Sequence, residues 1–353
     1  MDDPSLTEHD LLAALKGQPL SDELFHSLAM RVFSHQFQHN APYQKFAQSK
    51  GIEPGNISRW QDIPAVPTDA FKLTDYPLAS FPLDKIQTTF LTSGTTAELK
   101  GQHHFPSLQL YDESILHAWR ELNLPRPAHA LFLIPSPQQA PDSSLSHMMG
   151  VISEALSETT TWANNQHGDF DMDIIKQAAS SNKPIALFGT ALSFLHFFES
   201  MDTPINLPPE SWAMETGGYK GTRRQLQKED LYRLFGQKLH LDPDSIINEY
   251  SMTELSSQFY TRGLNREHEG PSWTRVRIID PVTDTDAKPG EPGHLVIYDL
   301  ANLHSVMAIR TQDLALQVNA GLAQGMNSFT LLGRDPSALP RGCSRAADRN
   351  LSS

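Results

Sequence analysis

One cysteine in 353 residues, Cys343, excludes an intramolecular disulfide and a cysteine zinc cluster. Basic residues are also few. Only 28 Lys and Arg stand against 41 Asp and Glu, giving a formal charge of −13 that argues against binding to nucleic acid or anionic lipid. An anionic ligand remains compatible with this charge, because a phosphate site needs only local donors. A long apolar run is missing. The stretch 185–198 is interrupted by Gly189, Thr190, Ser193 and His196, and is too short and too polar to span a bilayer. The N-terminus, Met-Asp-Asp-Pro, has no signal-peptide apolar core, so the default expectation is a cytoplasmic protein without membrane insertion. Fifteen histidines form no His-Glu-x-x-His motif, and Ser143, Ser144 and Ser146 sit in no Gly-x-Ser-x-Gly nucleophile elbow. A structural metal is therefore not expected, whereas a magnesium ion carried by a nucleotide is compatible with the sequence.

The composition that remains, 39% hydrophobic and 20% charged, is that of a soluble globular chain long enough for two or three packed substructures. The first 85 residues read helical. Ser5 and Glu8 make a capping-box pattern ahead of Leu11, Leu12 and Leu15, Gly17 and Pro19 end that helix, and Ser21 can cap the next, with its stripe of Leu24, Phe25, Leu28, Val32 and Phe33. Strand and helix candidates then alternate: 88–91, 108–120, 130–134, 145–156, 184–188 and a helix from Phe194 onward. That alternation predicts an α/β layered core with a largely parallel sheet over 86–271. From about Ser272, strand-like segments at 274–279, 294–298, 307–310 and 329–332 are separated by turn chemistry such as Pro289-Gly290-Glu291-Pro292-Gly293. They predict an antiparallel or barrel-like β-rich subdomain over 272–334, followed by a polar tail, 335–353, read as mobile.

The most informative segment is Leu91-Thr92-Ser93-Gly94-Thr95-Thr96-Ala97-Glu98-Leu99-Lys100-Gly101. Its hydroxyls, its turn-permitting Gly94 and its ammonium can direct several donors at a polyphosphate. It is neither a Walker loop, since no Gly-Lys-Ser or Gly-Lys-Thr follows, nor a Gly-x-Gly-x-x-Gly dinucleotide fingerprint. Just beyond it, His103 and His104 are neighbours on a strand candidate, so at most one faces a given ligand. In Met214-Glu215-Thr216-Gly217-Gly218-Tyr219-Lys220-Gly221 the two glycines let backbone approach a flat ligand and Tyr219 can stack on an adenine ring. Asn248-Glu249-Tyr250-Ser251-Met252-Thr253-Glu254 follows the apolar pair Ile246-Ile247, and Ile309-Arg310-Thr311-Gln312-Asp313 and Leu332-Gly333-Arg334-Asp335 complete the set.

In order and spacing these five segments resemble those of the acyl-adenylate-forming enzymes, over most of the chain. The resemblance implies the N-terminal-domain-like core of that superfamily: layered α/β sheets plus a small β-rich subdomain. It implies ATP held by Thr92, Ser93, Gly94, Thr95 and Thr96, by Gly217, Gly218 and Tyr219, and by Tyr250, Asp313 and Arg334, with Asp313 on the ribose hydroxyls. Thr253 would touch the α-phosphate and Glu254 would hold Mg²⁺. Two departures stand out. Gln312 replaces the usual Gly, which puts the local turn in doubt but keeps the carboxylate, and Ala97 and Leu99 replace a Gly and a Pro of the phosphate loop. The sequence also ends at Ser353, where typical members carry a further domain of about a hundred residues bearing a catalytic lysine. Its absence is expected here, and Lys100 is the obvious candidate to stand in for that lysine.

This layout resembles the LuxE-type acyl-protein synthetases. Ile63-Pro64, Phe71-Lys72, Gly217-Gly218-Tyr219-Lys220-Gly221 and Arg341-Gly342-Cys343-Ser344 carry the likeness. It implies activation of a carboxylic acid, a fatty acid in that family, to acyl-AMP with release of pyrophosphate. The acyl group then passes to Cys343 as a thioester and on to an acyl reductase partner. Arg341 and Arg345 flank Cys343 and favour its thiolate. His147, in Ser-Leu-Ser-His-Met-Met-Gly, is a candidate for the acyl pocket, with a packed core histidine as the other reading. Two further readings stay open at this point: a CoA ligase of the phenylacetate type, and a nucleotide-binding module without catalysis.

Overall fold

The structure is a computed structural model that describes residues 4–92, 99–164, 169–217, 226–317 and 327–335. It opens with α1 (Pro4–Lys16), α2 (Asp22–His39) and α3 (Ala41–Ser49). Ser21 caps α2 by accepting from the Leu24 amide, and Asn40 closes α2 and starts α3, its side chain accepting from the Tyr43 amide at 3.1 Å. Ser5 was expected at the helix start but lies inside α1. The helix already begins at Pro4, whose fixed φ suits a first helical turn. Glu8 reaches His304 instead, at 3.5 Å.

The middle of the chain builds β1 (Val66–Pro67), β2 (Thr88–Leu91), β3 (Gln102–Phe105), α4 (Gln109–Glu121), β4 (His129–Phe132), α5 (Ser144–Ala155), β5 (Thr159–Trp162), α6 (Met172–Ala179), β6 (Ile185–Thr190), α7 (Ala191–Glu199), β7 (Trp212–Thr216), α8 (Lys228–Leu239) and β8 (Ile246–Tyr250). Strands β5, β4, β6, β7 and β8 lie side by side in that order, all parallel. Alternation of side chains sends Ala130, Phe132, Phe188 and Met214 toward α4 and α5, and Leu131, Leu187 and Ala213 toward α6, α7 and α8. With both faces covered, the central strands β6 and β7 are buried along their whole length and mostly apolar.

The remainder is β9 (Phe259–Arg262), β10 (His268–Glu269), β11 (Thr274–Ile279), β12 (Gly293–Asp299), β13 (Ala308–Leu316) and β14 (Ser328–Arg334). These strands are antiparallel to one another, and β14 pairs with both β10 and β13, so hydrogen bonding runs unbroken from β11 to β5. The strand expected at 307–310 is longer than its apolar stretch indicates. It continues as β13 to Leu316, straight through Gln312, with an irregularity only between Leu314 and Ala315. Strand β2 was expected as the first strand of the α/β alternation, but among the described residues it stands outside the large sheet and pairs with β3. Among the described residues, no helix is long and apolar enough to cross a membrane.

The helices α1–α3 pack on β11–β13 around a core that includes Phe25, Phe33, Tyr43 and Tyr298. Gln36 is its polar pin. The fully buried amide donates to the carbonyls of Asn302 and Leu303 at 2.9 and 3.1 Å and accepts from the Met307 amide at 3.0 Å. Gln36→Leu strands all three backbone groups, and urea unfolding should show a loss of about 3 kcal/mol.

Candidate functional site

The phosphate-loop sequence sits at the open end of the β2–β3 hairpin. Ser93, Gly94, Thr95 and Thr96 lie outside the described residues, but both ends of the loop are in place. The Thr92 amide donates to the Gly101 carbonyl at 2.9 Å, and the Gly101 amide donates to the Thr92 hydroxyl at 2.7 Å. A Cβ on Gly101 would lie 2.9 Å from the Thr92 methyl, so this closure leaves no room for a side chain. Lys100 points along the same side, 4.0 Å from the Asp142 carboxylate, and the Asp142 carbonyl accepts from the Leu91 amide at 2.9 Å.

Thr253 and Glu254 follow β8 in an irregular segment, at the carboxyl ends of the parallel strands, where ligands bind in open α/β sheets. Both are buried. The Thr253 hydroxyl accepts from Ser144 at 3.4 Å, and its carbonyl accepts from His103 Nδ1 at 2.8 Å. Burial pushes the His103 imidazole down to about 3, against the pull of that carbonyl, so the ring is neutral near pH 7. Its Nε2 is buried without a hydrogen-bond partner among the described residues. His104, on the opposite side of β3, pairs with the Thr89 hydroxyl at 2.8 Å, as the strand alternation of two neighbours requires. The phosphate-loop hairpin and the Thr253-Glu254 segment therefore meet directly.

The segment is held from behind by a buried polar network. Asp299, fully buried, accepts from the Ser256 and Ala301 amides and from the Ser257 hydroxyl at 3.0, 3.0 and 2.7 Å. Burial raises its carboxyl to about 6 in spite of these bonds. Asn302 donates to the Glu254 carbonyl at 2.8 Å and to the Val306 carbonyl at 3.1 Å, and accepts from the Ser256 hydroxyl at 2.6 Å.

Tyr250 and Asp313, 63 positions apart, also come together: the Tyr250 hydroxyl donates to the Asp313 carboxylate at 2.9 Å. Asp313 lies opposite Arg334 in the β13–β14 ladder. The Gln312 side chain donates to Asp69 at 2.7 Å and accepts from Arg334, and its carbonyl accepts from the Asp335 amide at 3.0 Å. Gln312 is thus a junction within a strand and not part of a turn. Gly217 ends β7 with a φ of +68°, a left-handed conformation that glycine adopts without strain. Gly218, Tyr219 and Cys343 lie outside the described residues. His147 donates from Nε2 to the Asp112 carboxylate at 2.7 Å, and its ring packs on Phe90 and Tyr111.

Several residues beside these were not singled out for a role by their sequence: Asp142, Ser144, Gln312 as a junction, and the Asp299–Asn302 network. Glu249 is another. It is buried on β8 beside Thr216, whose hydroxyl donates to its carboxylate. Burial pushes this carboxyl up to about 7, opposed by the hydroxyls of Ser251 and Thr216 and reinforced by Glu215. Glu215 is itself raised by burial, opposed by Lys228 at 3.3 Å.

The described chain resembles solved structures of 2-hydroxyisobutyryl-CoA ligase. Against the postadenylation state in complex with 2-HIB-AMP the TM-score is 0.65 at 14% identity, covering 89% of this chain and 67% of that one. Against the thioesterification state with 2-HIB-AMP and CoA it is 0.61 at 14% identity, covering 94% and 69%. Curated protein sequences offer no match. The fold is that of the core of adenylate-forming ligases. A family model described as acyl-protein synthetase, LuxE, matches residues 14–112 and 145–352, and the chain belongs to that family. It is accordingly an enzyme, a ligase of the AMP-forming class.

Glu249 carries a pH signature. Its folded value exceeds the ordinary 4.5, so the native state holds the proton more tightly than the unfolded chain. That contribution is complete below the ordinary value and is lost as pH rises through about 7. Glu249→Gln should therefore raise stability near pH 8 by about 1–3 kcal/mol and leave it unchanged near pH 4, read by urea unfolding at both.

Proposed function

We propose that this protein activates a fatty acid with ATP to acyl-AMP, transfers the acyl group to its own Cys343, and delivers it as a thioester to an acyl reductase. The observation that carries the reading is the meeting of the phosphate-loop hairpin with Thr253 through His103, with Ser144 of α5 on the Thr253 hydroxyl. Adenylation needs donors on a triphosphate at that junction, and Tyr250, three positions before Thr253 at the end of β8, brings the Asp313 carboxylate of β13 to where a ribose would follow. Membership of the acyl-protein synthetase family supports the same chemistry. The enzyme works in the cytoplasm.

In the first step a carboxylate oxygen of the acid attacks the α-phosphorus. A new P–O bond forms, the bond to the β-phosphate breaks, and pyrophosphate leaves. The nucleophile is already ionised, so no general base is required, and the protein's task is positioning and charge neutralisation. Thr92, Ser93, Gly94, Thr95, Thr96 and Lys100 are the residues assigned to the phosphates in this reading, with Thr253 assigned to the α-phosphate. Gly217, Gly218 and Tyr219 take the adenine, and Asp313, with Tyr250, takes the ribose, with Arg334 beside them. Glu254, a buried carboxylate in the segment after β8, is the residue to hold an ion whose other ligands are phosphate and water. When bound there, Mg²⁺ offsets phosphate charge. The Phe90, Phe105 and Tyr111 wall around His147 suits an apolar acyl chain.

In the second step the Cys343 thiolate attacks the acyl carbon, a C–S bond forms, and AMP leaves with the electrons of the broken anhydride bond; the thiol proton has gone to solvent. The thioester then passes to the reductase.

Glu254→Gln should lower acid-dependent ATP–pyrophosphate exchange at least about tenfold, whereas Tyr250→Phe should raise the KM for ATP about tenfold with little change in kcat. Cys343→Ala should retain exchange and lose the covalent adduct seen by intact-protein mass spectrometry after incubation with Mg-ATP and fatty acid. An adduct that persists in Cys343→Ala removes the carrier assignment, and acid-dependent AMP release only on addition of CoA makes the protein a CoA ligase instead.

A further inference from the structure

An apolar groove of about 390 Å³ opens on the surface between α3 and the turn at 68–72, away from the phosphate loop. Phe46, Val66, Ala70, Leu73 and Tyr76 line it. Leu73 and Tyr76 are 57% and 62% exposed, an unusual pair of large apolar side chains to leave in water on one rim.

Two connections tie this groove to the rest of the site. The first runs to the C-terminal end of the described chain. Asp69, on the groove's edge, accepts from the Gln312 side chain at 2.7 Å, and the Gln312 carbonyl accepts from the Asp335 amide at 3.0 Å. The chain therefore arrives at residue 335 one side chain away from the groove. The second runs to the phosphate loop. The turn 68–72 that brings Asp69 and Ala70 to the groove sends Phe71 the other way, where its ring meets His103 at 5.6 Å. The Phe71 Cβ lies 3.4 Å from where a Cβ on Gly101 would stand.

The sequence beyond residue 335 has the chemistry to fill such a groove. Pro336-Ser337-Ala338-Leu339-Pro340-Arg341-Gly342-Cys343 holds one large aliphatic side chain, Leu339. A residue before proline favours extended backbone, and both Asp335 and Leu339 precede one. Four extended residues from Asp335 to Leu339 span up to about 14 Å, and the eight to Cys343 up to about 28 Å. No acidic residue lies between Pro336 and Ala347, while Arg341 and Arg345 do, and the exposed Asp75 stands between the groove residues Leu73 and Tyr76 in sequence.

We propose that the groove is the docking site for the chain's own segment 336–341, with Leu339 as its apolar anchor, and that this seating delivers Cys343 across the 68–72 turn to the acyl-adenylate. The inference rests on the carrier role of Cys343 for its purpose, though not for the docking itself. A groove holding the segment raises the effective concentration of the thiol at the site, which a free tail of the same length does not.

Because Cys343 is the only cysteine, the docking can be tested without interference in a Cys343→Ser background. Leu73→Cys with Leu339→Cys should form an intrachain disulfide under mild oxidation about tenfold faster than Ile174→Cys with Leu339→Cys, Ile174 being an exposed position on α6, which packs in a different core from α3. In the chain that keeps Cys343, Leu73→Asp should slow acylation of Cys343 about tenfold while ATP–pyrophosphate exchange stays at the unsubstituted rate. Equal cross-linking rates for the two pairs overturn the proposal, as does a disulfide that joins two chains, which makes the groove a contact between copies. Normal acylation in Leu73→Asp, with slowed transfer to a reductase, overturns it in favour of a partner's surface. Fast intrachain cross-linking in a protein whose Cys343 never becomes acylated keeps the docking and removes the carrier role, so the two readings fail separately.

Discussion

The site depends on an irregular segment being held still. After β8 the chain leaves the sheet at the point where Thr253 and Glu254 must face a ligand, and no strand ladder or helix fixes it there. The buried Asp299 carboxylate does so, taking two amides and a hydroxyl, with Asn302 completing the set on the Glu254 carbonyl. A buried carboxylate with a raised pKa is a costly device, justified where several backbone donors would otherwise be orphaned. Gln36 repeats the logic one layer further out. It satisfies Asn302, Leu303 and Met307 and thereby joins α2 to the loop that carries Asn302. The helical N-terminal region is thus connected to the chemistry by side-chain hydrogen bonds through two successive layers.

Much of this was legible before any coordinates. The parallel core followed from alternating apolar runs, and each strand and helix expected between 88 and 198 lies within a few residues of its predicted place. Those signals are local: side-chain period and turn chemistry. The spatial pairing of Tyr250 with Asp313 could be named only through resemblance, since nothing in either segment specifies a partner 63 positions away. Gln312 shows the opposite case. Read as a replacement for a turn glycine, it instead bridges Asp69, Arg334 and Asp335 from a continuous strand.

What could not be read lies in non-periodic sequence. Leu300-Ala301-Asn302-Leu303-His304-Ser305 shows neither a strand nor a helix period, yet every one of these residues is buried. Asn302 is inside because its side chain serves the backbone carbonyls of Glu254 and Val306, and that demand is invisible until the segments meet. Glu249 was hidden for a related reason, as an acid in an otherwise apolar strand whose burial sets its chemistry.

The separation of the β2–β3 hairpin from the large sheet has a mechanical consequence. Its own ladder is complete, but it shares none with β8, and the polar contacts described between it and the rest of the site are single ones: Leu91 and Lys100 to Asp142, and His103 to Thr253. Each such bond contributes about 1 kcal/mol net. The gap between the two halves that would grip a triphosphate is therefore set by the identity of a few side chains and not by strand register. Such a gap can be retuned by substitution while the sheet beneath keeps every one of its rungs.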